Sequence, residues 1–262
     1  MNKIAFVLSL AVACVSLHAF AVNKKYLVGI KLPDNVSKRL DQFTNGLEGR
    51  INQKLGPNAF TPQGKKAFPH HITLAFLQNG NEANLPKIQQ ALSSAVKAIE
   101  KDLVKSLQRL DFDSKVGFIG TSNIVAIYLK PSKDLEVIVN YLRNYLAKYG
   151  IQFDTRPFLG HVGLGEVRVQ NFDRSAVQSI LQSSLKFVSR FNTKYTIPLT
   201  HIDLFQTTLS QPPKVDVFKR YNIEKASKQN KQSKRRGVDI GSLSCHLTDF
   251  NSDLQALVIA LA

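Results

Sequence analysis

The sequence predicts a fold of mixed class, α+β or mixed α/β, and three observations predict it. Segments with helical periodicity alternate with short strand-like runs, while turn residues between some runs mark hairpins. The order also repeats: each half has a strand, a helix and a strand bearing a histidine, with a second helix behind it. Set apart from an apolar leader, about 240 of the 262 residues remain, enough for one large domain or two small lobes around a core.

KYLVGIKL (25–32) reads as the first strand, and Pro33 with Asp34 supplies helix-start signals. Val36, Leu40, Phe43, Leu47, Ile51 and Leu55 then recur at helical spacing. GPNAFTPQGKKAFP (56–69) reads as a loop and HHITLAF (70–76) as a strand. Residues 84–103 form a second amphipathic helix. Strands within 105–120 and 123–131 are expected to pair about a turn near 121–123. A third helix, 132–150, stops at Gly150, the residue best suited to a helix C-terminus. FLGHVGLGEV (158–167) is a strand, 174–191 a fourth helix, 194–209 a further strand, and 216–225 the last.

The two ends differ in character from this body. Residues 1–21 have a short positive start, an apolar stretch and Ala19-Phe20-Ala21, the layout of a signal peptide cleaved before Val22. The protein is therefore expected to be exported, periplasmic or secreted, with no stable membrane insertion after cleavage. A lipoprotein reading through Cys14 is weaker, because Ala11 stands where a leucine is usual. Cleavage leaves Cys245 as the single cysteine, so no intrachain disulfide can form and the fold must stand on packing. Residues 225–236, KASKQNKQSKRR, hold six positive charges and no acidic residue, which makes 225–262 a basic linker and tail. The resulting division is a leader (1–21), a body (22–224) and a tail (225–262).

The net charge is +16. Setting aside Lys3 and the +3 of residues 225–262 leaves +12 on the body, a balance that attracts polyanions. The tail offers a second polyanion contact.

Strand geometry sorts the histidines. Side chains alternate between faces, so Ile72, Leu74 and Phe76 share a core face with His70, while His71, Thr73 and Ala75 face the other way. The second histidine strand repeats the arrangement: Val162, Leu164 and Val167 on one side, His161, Gly163 and Gly165 on the other. Near neutral pH an imidazole can take or give a proton. Two of them facing one cleft can serve the attacking and leaving oxygens of a phosphodiester. His70 cannot chelate a metal with its neighbour, and His201 shares parity with Asp203 as a strand residue. Arg156, Lys65 and Lys66 are candidate phosphate helpers, with solvated surface their plainer role. His246 and Thr248 form another His-x-Thr in the tail, set aside because Asp249 follows.

HITLAFL and RPFLGHVGLGEV, in this context, resemble the paired His-x-Thr/Ser motifs of the two-histidine (2H) phosphoesterases. The branch most resembled is the bacterial RNA 2′,3′-cyclic phosphodiesterase, or 2′-5′ RNA ligase-like, branch, and the likeness covers about 25 to 224. It implies an α+β, bilobal fold in which two pseudo-symmetric antiparallel sheets, flanked by helices, enclose a cleft. It implies no cofactor, a monomer, RNA ends or cyclic nucleotides as partners, His71 and His161 as the acid/base pair, and Thr73 as a phosphate ligand. At the other ligand position Gly163 replaces the family's Thr or Ser, and Gly160 a usual proline. The alternative expectation is a protein of the same fold that binds RNA or nucleotides with weakened catalysis, because glycine has no hydroxyl.

Overall fold

The computed structural model describes residues 24–65, 68–103, 109–184, 197–208 and 214–223. The expectations for the leader, the tail, Lys66, Cys245 and His246 lie outside these residues. Lys24–Lys31 form β1, and Asp34–Leu55 form α1. Val36, Leu40, Phe43, Leu47 and Ile51 are buried along α1, as the helical spacing requires. The segment read as a loop contains structure of its own, a strand β2 (Phe60–Pro62) and a 3₁₀ turn (Gln63–Lys65). Its Pro and Gly content hides a strand of three residues, which is too short to show a period.

β3 (His71–Phe76) and α2 (Leu85–Leu103) follow, then the short β4 (Arg109–Leu110) and the hairpin β5 (Phe112–Phe118) with β6 (Ile124–Leu129). α3 (Lys133–Lys148) starts at Ser132, whose side chain accepts from the N–H of Leu135, a cap bond that satisfies one free helix donor. Gly150 ends that segment at φ 72°, where glycine is at ease. β7 (His161–Val167), α4 (Arg174–Gln182), β8 (Ile197–Pro198), β9 (His201–Thr208) and β10 (Lys214–Asn222) complete the order.

The main sheet runs β10-β9-β1-β3-β7-β6-β5, with β2 beside β7, and its pairs are antiparallel. β4 and β8 make a separate two-stranded sheet. The two histidine strands lie at the middle of the main sheet, and the pairing between them is Ile72 opposite Val162. On one side β3 leads to β1, β9 and β10. On the other β7 leads to β6 and β5. Each half thus turns its histidine strand inward.

The halves agree in finer detail. Against β1, Thr73 pairs with Gly29 and Ala75 with Val28, leaving Leu74 as an extra residue. Against β6, Gly163 pairs with Ala126 and Gly165 with Val125, leaving Leu164 extra. Both histidine strands therefore bulge three residues after the histidine, and a bulge reverses the alternation of faces beyond it. The burial patterns of the first five residues coincide. This corrects the simple parity reading: Ala75 is buried, whereas Phe76 is 57% exposed. Gly165 is covered too, since a Cβ there would meet Thr61 of β2.

One apolar cluster joins the core faces of both halves to the helices. It includes Ile30, Leu40, Ile72, Leu92, Ile127, Leu142, Val162 and Leu181. The opposite face of the sheet carries His71 and His161. Among the described residues no helix is long and apolar enough to cross a membrane.

Candidate functional site

Antiparallel strands with Ile72 opposite Val162 place His71 opposite Gly163 and Thr73 opposite His161. Cross-strand neighbours in such a pair point to the same side. The four residues singled out from the sequence, His71, Thr73, His161 and Gly163, therefore form one square on one face, with the imidazoles on its diagonal. Diagonal neighbours in an antiparallel pair stand roughly 7–8 Å apart, a span that admits a phosphate group.

Each imidazole is tethered in the same way. A ring nitrogen of His71, Nδ1, lies 2.8 Å from the carbonyl oxygen of Pro69. Nδ1 of His161 lies 2.6 Å from the carbonyl oxygen of Leu159. A carbonyl only accepts, so each Nδ1 must carry its proton. That leaves Nε2 as the working nitrogen of both rings: an acceptor when the ring is neutral, a donor when it is charged.

The surroundings set the charge. The His71 ring lies 5.1 Å from that of Phe205 and 6.4 Å from that of Phe68. Burial lowers its pKa from the ordinary 6.5, and the charges of His70 and His161 lower it further. Burial also lowers the pKa of His161. The charge of His161 acts on His71, so the two rings sense one another. Phe205 can lie so close to β3 because β1 offers Gly29 there: a Cβ at Gly29 would stand 3.2 Å from Phe205 and 2.4 Å from the backbone oxygen of Ile72.

Rows of neighbours extend the square. Lys31 pairs with His71 and Tyr128 with His161. Lys115 lies with its Nζ 4.6 Å from the centre of the Tyr128 ring. Lys115 thus stands on one flank as a positive setting for an anion, while Lys31 on the other lies 3.4 Å from the carboxylate of Asp34. The Thr73 hydroxyl makes no hydrogen bond among the described residues. Lys31, Lys115, Tyr128, Phe68 and Phe205 were not singled out from the sequence; once the strands are paired, the parity of β1 and of the hairpin identifies the first three.

The remaining candidates separate from the site. His70 is 3% exposed on the core side. Its Nδ1–H donates to the carbonyl of Gly163 at 3.2 Å, and its Nε2 meets the carboxylate of Asp41 on α1 at 2.9 Å. It braces the strand behind the site. Arg156 is 84% exposed at its side chain and engages Asp154 through two nitrogens, and that pairing pushes the Asp154 carboxyl down to about 2. Lys65 bonds Glu48 at 2.7 Å. Both cations already serve a carboxylate. His201 lies 3.2 Å from Asp203, which also receives Arg220. Among the described residues, no three or more His, Cys, Asp or Glu side chains gather where they could hold a metal ion.

Residues 30–108 match the model of the family described as LigT like Phosphoesterase. Among solved structures, TT0787 of Thermus thermophilus is 14% identical and has a TM-score of 0.52; the match covers 76% of this chain and 97% of that one. Escherichia coli LigT complexed with 3′-AMP is 19% identical with a TM-score of 0.46, over 77% of this chain and 98% of that one. The likeness to the Thermus structure is one of fold. No curated protein matches the chain.

Proposed function

We propose that the chain is a LigT-like 2H phosphoesterase, a reading supported by the family match over residues 30–108, and that it hydrolyses the 2′,3′-cyclic phosphate of RNA ends or nucleotides, or 2′-5′ linkages, without a metal ion. The observation that carries this reading is the diagonal of two imidazoles on one face, each with Nδ1–H tied to a carbonyl and Nε2 left to work.

With a cyclic phosphate between the rings, a water oxygen attacks phosphorus while a neutral Nε2 takes its proton. The bond from phosphorus to one ribose oxygen breaks, and the leaving oxygen receives a proton from the charged Nε2–H of the other ring. The donor ends neutral and the acceptor charged, so one proton exchange resets the pair. His71 is the base and His161 the acid in this proposal. Burial beside Phe205 and the charges of His70 and His161 all lower the pKa of His71, whereas burial alone lowers that of His161, which favours His71 as the proton acceptor. Thr73, opposite His161, donates its hydroxyl to a non-bridging oxygen, and Lys115 favours the anion's approach.

Export through the leader and RNA contact through the basic tail belong to the same proposal. The test is release of a phosphomonoester from 2′,3′-cyclic nucleotides in EDTA. Turnover by the native chain and its loss in Thr73→Val and His161→Ala are expected. Unchanged turnover in His161→Ala would refute the mechanism.

A further inference from the structure

The family pattern places a hydroxyl at position 163, and this chain has glycine there. Resting on the phosphate-binding reading above, we propose that the side-chain amide of Gln63 is the ligand that replaces it. A Cβ built on Gly163 would meet Oε1 of Gln63 at 4.0 Å, with nothing nearer. The amide stands where a side chain on residue 163 would extend. It comes from the turn that follows β2, and β2 is fastened to β7 by Pro62 opposite Gly165 and Thr61 opposite Glu166. The donor is therefore mounted on the histidine strand itself, one chain removed.

The local geometry keeps Gln63 directed this way. At the next residue, Gly64, a Cβ would stand 2.0 Å from a carboxylate oxygen of Asp41 on α1. The turn thus presses its glycine against the helix, on the side of the sheet where His70 also meets Asp41, and sends Gln63 toward the histidine face. Gln63 is half-buried and makes no hydrogen bond among the described residues. A carboxamide has an acceptor oxygen and an NH2 with two donors, exchanged by half a turn about its last bond. An anion between the imidazoles selects the NH2. A Cβ at 163 would lie at ordinary contact distance from the amide, and a side chain reaching further would compete with it for the same space. Thr73 from one half and Gln63 from the other flank the phosphate.

The test uses the full chain with inorganic phosphate as probe, measured by titration calorimetry, beside turnover of a 2′,3′-cyclic nucleotide. Gln63→Ala is expected to weaken phosphate binding about tenfold, the loss of one hydrogen bond to a charged group, and to lower kcat about a hundredfold. Its thermal midpoint should stay that of the native chain. Adding Gly163→Ser to Gln63→Ala should recover most of the phosphate affinity, which a merely structural role for Gln63 would not allow. Phosphate affinity unchanged in Gln63→Ala overturns the inference, and so does a native chain that binds no phosphate. If the native chain binds phosphate in a Gln63-dependent way but turns over no cyclic nucleotide, the hydrolytic reading falls and this inference stands.

Discussion

A histidine is a proton carrier only when one ring nitrogen is free, and local contacts meet that condition here. Pro69 and Leu159, each two residues before its histidine, hold Nδ1–H, so the spacing of ring and carbonyl along the strand selects the tautomer. Burial then lowers both pKa values from 6.5. We expect a bell-shaped pH profile of kcat/KM with its maximum below pH 6.5, since that parameter reports the free enzyme's acid and base. A maximum above pH 7 would contradict the shift. The same shift links to stability. Between the lowered folded values and 6.5 the unfolded chain binds more protons than the folded one, so stability is full above 6.5 and declines as pH falls through the folded values. His71→Asn should flatten part of that decline in urea unfolding measured from pH 7 to pH 5; an unaltered slope would count against a depressed His71. The facing of His71, Thr73, His161 and Gly163 was legible in the sequence because alternation is local. Phe205 was not, since it reaches His71 only after β9 joins β1.

At the scale of the element, the matching bulges decide what each histidine strand presents. Leu74 and Leu164 are the extra residues, and they allow a strand to keep its histidine outward while burying two consecutive residues beyond it. The consequence is measurable at β3: Phe76→Ser should change stability by no more than about 0.5 kcal/mol, as an exposed position does. Ala75→Leu should destabilise by about 1–3 kcal/mol through overpacking. Reversed sensitivities in denaturant unfolding would restore plain alternation. Behind the strands, His70 joins Gly163 of β7 to Asp41 of α1. His70→Ala leaves the part-buried Gly163 carbonyl without its donor and should cost about 1–3 kcal/mol, read by the same method; a loss below about 0.5 kcal/mol would show that water replaces the ring. The helices were legible because their apolar period is long. The bulges and β2 were not, because one inserted residue and a three-residue strand leave no periodic trace.

At the largest scale, the described residues form two halves that each turn a histidine strand toward the other. Their order could be read from the sequence, and the agreement in register and burial gives that order a structural form. What could not be read was how they meet, for His71 and His161 are 90 residues apart and only pairing across the sheet brings them to one face. The central claim is that this meeting makes one acid/base device. The most direct measurement is the hydrolysis rate of 2′,3′-cyclic AMP in EDTA by the native chain, His71→Ala, His161→Ala and the double variant. Residues that act as a unit are non-additive, so each single variant should lose nearly as much as the double, on the order of a thousandfold or more. Single losses that simply multiply in the double variant, or turnover that survives in both single variants, would contradict it.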